Sequence, residues 1–75
     1  MKKTFYAIQN NNGNYLDCMF QQTELRDDIP WTCDEEVALV EDSEAAAQHY
    51  LDLYVRPRLP NGITCAVVEL EFDVQ

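Results

Sequence analysis

Residues 63–74 read ITCAVVELEFDV, and this segment decides the class of fold. In its second half, apolar and acidic side chains alternate without a break. The apolar positions are Val68, Leu70, Phe72 and Val74, and the acidic positions are Glu69, Glu71 and Asp73. Because successive side chains of a strand point to opposite faces of a sheet, the alternation predicts a β-strand with one buried face and one solvated face.

The N-terminal residues predict a β-hairpin. Residues 4–9 (TFYAIQ) are rich in β-branched and aromatic side chains, which are typical of strands. The polar run that follows contains Asn-Gly, a pair that favours a tight turn because both residues tolerate positive φ. Residues 15–20 (YLDCMF) then alternate, and the position of Asp17 predicts that the other set, Leu16, Cys18 and Phe20, faces the core.

A single main helix is predicted over residues 44–55, with Asp42 or Ser43 as its N-cap. At about 100° per residue, its apolar side chains share an arc of roughly 160°. These side chains are Ala46, Ala47, Tyr50, Leu51, Leu53 and Tyr54. Pro57 disfavours helical geometry at the residue before it, so the helix is predicted to end at Arg56.

The middle of the chain predicts shorter elements. Residues 21–30 are polar and indicate a loop, and Thr32 with Glu35 fits a capping box that begins a helical turn. Residues 39–41 predict a short strand. The chain is therefore expected to be a single domain over residues 1–75, of the α+β class. Its small, mostly antiparallel sheet would comprise the N-terminal hairpin, the short middle strand and the C-terminal strand, with one main helix packed across its apolar face.

The chain is strongly acidic, with a net charge of −9 from 14 acidic and 5 basic residues. Such a surface repels nucleic acid and anionic membranes and attracts basic protein surfaces. No apolar run approaches the ~18 residues of a membrane span, and the N-terminus lacks the apolar segment of a signal peptide. We therefore expect a cytoplasmic protein, with no membrane partner and no direct contact with nucleic acid.

No catalytic, metal or cofactor site is predicted. His49 is the single histidine, and a zinc site would need it together with Cys18, Cys33 and Cys65, whereas structural zinc sites normally show paired ligands at close spacing. The cysteines are interpreted as reduced thiols, with Cys18 and Cys65 as small core residues. Ser43 is accounted for as a helix cap. The expectation is a binding protein and not an enzyme.

Two groups of acidic residues are the candidate partner-binding residues. The first is the strand row, whose members recur about every 6.8 Å. The second group lies in the predicted capping turn and in the loop before it. The candidates are Glu69, Glu71 and Asp73, then Asp34, Glu35 and Glu36, with Asp27 and Asp28. Rigid carboxylates at such spacings can occupy phosphate sites on a nucleic-acid-binding protein, although a solvated strand face and a helix cap also account for these residue types.

One long pattern runs through the middle of the chain. Its residues are Trp31, Thr32, Asp34, Ala38, Val40, Asp42, Ser43, Glu44, Ala46, Tyr50 and Leu51, preceded by Gly13, Asn14, Tyr15 and Leu16 of the hairpin. This pattern resembles one found in small orphan α+β proteins of phages and prophages. The resemblance covers about half of the chain and concerns the fold rather than a site. It implies a context, because this group includes anti-CRISPR and other anti-defence inhibitors, several of which present acidic surfaces to nucleic-acid-binding sites.

The leading hypothesis is a phage or mobile-element protein that inhibits a host nucleic-acid-binding protein through an acidic surface that mimics DNA. The alternative is a phage accessory or assembly subunit with an apolar or edge-strand interface, in which the N-terminal hairpin is a candidate edge and a homodimer is one outcome. An antitoxin-like partner of a basic toxin shares the charge argument with the first hypothesis.

Overall fold

The computed structural model describes residues 1–21 and 29–74, and this part of the chain contains a sheet of five strands. They are β1 (Lys2–Asn10), β2 (Tyr15–Leu16), β3 (Trp31–Thr32), β4 (Val40–Glu41) and β5 (Cys65–Asp73). Every pairing between them is antiparallel. The predicted class, α+β with a small antiparallel sheet against one main helix, is confirmed.

β1 is the central strand of this sheet. β5 pairs with it along its whole length, from Lys2 opposite Asp73 to Asn10 opposite Cys65. The other edge of β1 is shared by β2, near its C-terminal end, and by β4, near its middle. β3 extends the sheet beyond β2. β5 is therefore an edge strand, and within residues 1–21 and 29–74 it pairs with no strand besides β1.

The main helix is built from three kinds of turn. It begins as the α-helix α1 (Glu44–Tyr50), continues as a π-helical turn over Leu51–Val55, and ends in a 3-10 turn over Arg56–Arg58. Ser43 caps it, because its hydroxyl oxygen accepts the backbone N–H of Ala46 at 3.1 Å. The second of the two predicted caps is thus the observed one.

The helix packs on one face of the sheet around a compact apolar cluster. The buried members of this cluster are Ile8, Leu16, Phe20, Leu51 and Val55, and Cys65 and Val67 of β5 pack against it. We call this face the front face, and it carries the even-numbered residues of β1 and the odd-numbered residues of β5. The apolar row of Val68, Leu70 and Phe72 lies on the opposite, back face, so the prediction that the helix would cover this row is wrong.

The set of helix residues facing the core differs from the predicted arc. Ala46 and Leu53 are exposed, whereas Val55, which was outside the arc, is fully buried. A π-helical turn closes i→i+5 hydrogen bonds and so rotates the chain by less than 100° per residue. From Leu51 onward this slower rotation carries Leu53 toward solvent and brings Val55 back toward the sheet.

Pro57 does not end the helix at the residue before it. It lies within the terminal 3-10 turn, near the C-terminal end of the joined helix, where its missing N–H removes one hydrogen bond but does not stop the chain from completing the turn. The predicted stop at Arg56 is therefore wrong by one short turn, and the chain leaves the helix at Leu59, whose backbone is extended.

The second strand of the hairpin is shorter than predicted. β2 ends at Leu16 because the carboxylate of Asp17 accepts the backbone N–H of Met19 at 2.9 Å and turns the chain. Leu16 and Phe20 are buried as predicted, but Cys18 is exposed. The assignment of Cys18 to the core is therefore wrong.

The predicted capping box is also displaced. Thr32 belongs to β3, and the cap of the following 3-10 turn (Glu35–Val37) is Asp34, whose side chain accepts the backbone N–H of Glu36 at 2.9 Å. The predicted strand at residues 39–41 is observed as β4. The predicted loop over residues 21–30 falls mostly on residues 22–28, outside the described residues.

The three cysteines are expected to differ in reactivity toward a thiol reagent. Cys18 and Cys33 are exposed, whereas Cys65 is half-buried, and burial raises the pKa of its thiol with a partial offset from Arg56. At pH 8 an aromatic disulfide reagent should therefore modify two thiols quickly and the third at least about tenfold more slowly. In guanidinium chloride all three should react alike, and three equal rates in the folded protein would contradict the position of Cys65.

Candidate functional site

The acidic residues of β5 lie on the front face, beyond the part that the helix covers. Glu69, Glu71 and Asp73 are exposed and share this face with Val67, because alternate residues of a strand point the same way. Val67 packs against the buried cluster under the helix. The front face is therefore apolar at one end of β5 and acidic at the other.

A fourth carboxylate joins this row from β4. Tyr6 of β1 lies directly opposite Glu41 on one side and directly opposite Glu69 on the other. At a strand separation of about 4.8 Å, the backbones of Glu41 and Glu69 are about 10 Å apart on one face. We call Glu41, Glu69, Glu71 and Asp73 the front acidic patch.

Tyr50 marks the border between the helix and this patch. Burial, followed by the neighbouring Glu41 carboxylate, raises the pKa of the Tyr50 hydroxyl. The Tyr50 ring contacts the Tyr54 ring, with 5.0 Å between their centroids, on the side of Tyr50 that is turned away from the patch. Glu41 was not among the predicted site residues, and its place in the patch follows from the register of β4 on β1, which the sequence of a two-residue strand does not specify.

The second predicted acidic group lies on the back face. Glu35 and Glu36 line a shallow cleft of about 250 Å³ with Phe5 and Phe72, which belong to that face. Tyr15, opposite Gln9 and thus also on the back face, donates its hydroxyl to the Glu35 carboxylate at 3.3 Å. The two predicted groups therefore do not form one continuous surface.

The remaining predicted site residues have other positions. Asp34 is exposed and is used in capping the 3-10 turn. Asp27 and Asp28 lie outside the described residues.

None of the three glutamates of the patch lies opposite a cation, since Glu41 also pairs with Tyr6. Glu69 faces Tyr6 and Glu71 faces Thr4, whereas Asp73 faces Lys2. Elsewhere Lys3 lies 3.9 Å from the exposed Asp42 carboxylate, and Arg56 pairs with Asp52 within the helix at 3.1 Å. The negative charge of Glu69 and Glu71 is consequently not offset by their cross-strand neighbours.

The part of the chain that the structure describes contains neither a metal-ligand cluster nor a membrane-spanning helix. Among residues 1–21 and 29–74, no three His, Cys, Asp or Glu side chains come together closely enough to hold a metal ion. The same part of the chain contains no helix with the length and apolar character needed to cross a membrane. His49, Cys18 and Cys33 are all exposed.

Comparisons of the chain with protein-family models, with curated proteins and with solved structures gave no match.

Proposed function

We propose that the chain is a non-enzymatic protein-binding module from a phage or mobile element, which inhibits a host nucleic-acid-binding protein as anti-CRISPR inhibitors do. The front acidic patch would occupy the basic surface on which that protein holds DNA or RNA. The observation that supports this proposal is the row of three exposed carboxylates, Glu69, Glu71 and Asp73, on one face of the sheet, within a chain of net charge −9.

The rigidity of the patch favours this role. Glu69 and Glu71 lie on a strand that is paired to β1 over all nine of its residues, so their backbones are already ordered before a partner binds. Carboxylates about 6.8 Å apart on a fixed strand cost less entropy to position than charges on a loop. Complementary charge also speeds encounter with a basic partner.

The cleft on the back face favours a second candidate function, an accessory or assembly subunit with an apolar interface. Its walls include Phe5, Phe72, Ala38 and Val40. The two phenylalanine rings are suitable contacts for an apolar side chain of a partner. The two candidates differ in their response to salt, because screening weakens contacts between exposed charges and leaves apolar contacts largely unchanged.

A tagged pull-down from host lysate tests the proposal. It would be run at low and at high salt, each with and without added DNA, and the captured proteins identified by mass spectrometry. We expect capture of a nucleic-acid-binding protein that is lost at high salt and in the presence of DNA. Capture of a partner that is indifferent to both would favour the apolar interface and contradict the mimic.

A further inference from the structure

The outer edge of β5 carries backbone groups that β1 does not use. At its two ends, Val74 N–H donates to the Met1 carbonyl and Asn11 N–H donates to the Thr64 carbonyl, both at 2.9 Å. Residues of an antiparallel strand alternate between those bonded to one neighbour and those facing away from it. The even-numbered residues from 64 to 74 therefore bond to β1, and the odd-numbered residues direct their N–H and C=O groups outward.

The outward-facing residues include the acids of the front patch. They are Cys65, Val67, Glu69, Glu71 and Asp73, and among the described residues none of them has a strand partner on that side. An open edge of this length is a template for another extended chain. At Glu69, Glu71 and Asp73, the outward backbone groups and the exposed carboxylates thus belong to the same residues.

We propose that β5 takes up an extended segment of the basic partner as an additional antiparallel strand, with lysine or arginine at every second position. This inference rests on the proposed function, because it names the way in which the basic partner is held. Partner residues opposite Glu69, Glu71 and Asp73 place their side chains on the front face, with Cβ atoms about 5 Å from those of the acids.

The register also specifies the residues between the cations. They lie opposite Leu70 and Phe72, so their side chains are on the back face, next to the cleft that Phe5 and Phe72 line. Apolar side chains suit this face. The expected segment therefore alternates between basic and apolar residues, and its backbone makes the hydrogen bonds that the edge leaves open.

A second copy of the chain is a poor occupant of this edge. Two β5 strands paired antiparallel over their full length about a two-fold axis would place Glu69 directly opposite its own copy. Like charges at directly opposite positions destabilise a strand pair. Charged residues on an edge strand commonly prevent it from pairing with its own copies. The same acidic residues can still pair with a strand that carries positive charges.

Synthetic peptides can separate strand addition from simple charge attraction. The probe is a nine-residue peptide that alternates lysine and valine, used at concentrations where it is monomeric, with binding followed by fluorescence anisotropy. In the proposed register the lysine amides point toward β5 and the valine amides point away. N-methylation of the lysine amides should weaken binding at least about tenfold, and N-methylation of the valine amides should change it less than about twofold.

Amide hydrogen exchange gives a second readout on the unmodified protein. In the free chain, the outward amides of Val67, Glu69 and Glu71 should exchange quickly, while those of Val68 and Leu70 should be protected by the β1 ladder. Peptide binding should protect the outward set. Protection of the outward set without peptide, in a concentration-dependent dimer, would overturn the proposed occupant.

The outcomes distinguish this inference from the proposed function. Equal binding of the two N-methylated peptides, lost in the variant E69K/E71K, would overturn strand addition and leave the acidic surface as the binding element. Strand addition would also be overturned if the alternating peptide failed to bind while a salt-sensitive partner was still captured from lysate. Binding that is unchanged in E69K/E71K would overturn the charge argument on which both depend.

Discussion

Replacing Leu51 with alanine is expected to lower the free energy of unfolding by about 3 kcal/mol, because Leu→Ala removes buried surface and leaves a cavity. Leu51 is fully buried in the cluster that joins the helix to the sheet. A chain of 75 residues should have a stability of roughly 4–10 kcal/mol. The substitution should therefore reduce Tm by roughly 12–24 °C and leave the domain marginal.

Leu53 provides the matched control for this experiment. It is the same residue type two positions along the helix, but its side chain is 52% exposed. Leu53→Ala should change the free energy of unfolding by less than about 0.5 kcal/mol. Urea unfolding followed by circular dichroism measures both variants, and similar losses in the two would contradict the exposed position of Leu53.

This pair of leucines shows what hydrophobic periodicity can predict about the helix. The period indicated a helix with one apolar side, and Ala47 and Leu51 lie on that side. Periodicity assumes 3.6 residues per turn throughout, so it does not anticipate the π-helical winding that begins at Leu51. That winding brings Val55, and not Leu53, to the buried side of the helix.

The candidate site could be predicted in part for a similar reason. Strict alternation identified Glu69, Glu71 and Asp73 as one exposed row, and the structure places them so. It did not identify which face the helix would cover, because the odd-numbered positions of β5 change from apolar at Cys65 and Val67 to acidic beyond them. A single strand can be amphipathic in opposite senses at its two ends when the helix covers only one end.

The register between distant strands could likewise not be predicted from the sequence. Glu41 joins the front acidic patch only because β4 pairs with β1 at Tyr6 and Ala7. The same register places the 3-10 turn of Glu35 and Glu36 on the back face, which separates two groups of acids that are each plausible from composition. Such pairings join residues more than thirty positions apart, and no local pattern specifies them.

The double replacement E69K/E71K is expected to weaken binding to the basic partner at least about 100-fold. Each reversal replaces an attraction with a repulsion, and a loss of about 1.4 kcal/mol at each position gives this factor. The net charge changes from −9 to −5, since each replacement adds two units. Both side chains are exposed on β5 and lie opposite Tyr6 and Thr4, so the free energy of unfolding should change by less than about 0.5 kcal/mol.

The double replacement E35K/E36K provides the control, because it makes the same change of charge on the opposite face of the sheet. If the front acidic patch supplies the charged contacts, E35K/E36K should reduce affinity by less than about fivefold at 0.15 M salt, where the Debye length is ~8 Å, through the weaker overall field and through contacts of the added strand with the cleft. The measurement is the affinity of each folded variant for the partner captured from lysate, with competing DNA as a reference.

Equal losses of affinity in the two variants would indicate attraction to net charge alone. A larger loss in E35K/E36K would move the binding site to the cleft between Phe5 and Phe72. Since both variants change the net charge by the same amount, the comparison assigns the charged binding face independently of the total charge of the chain.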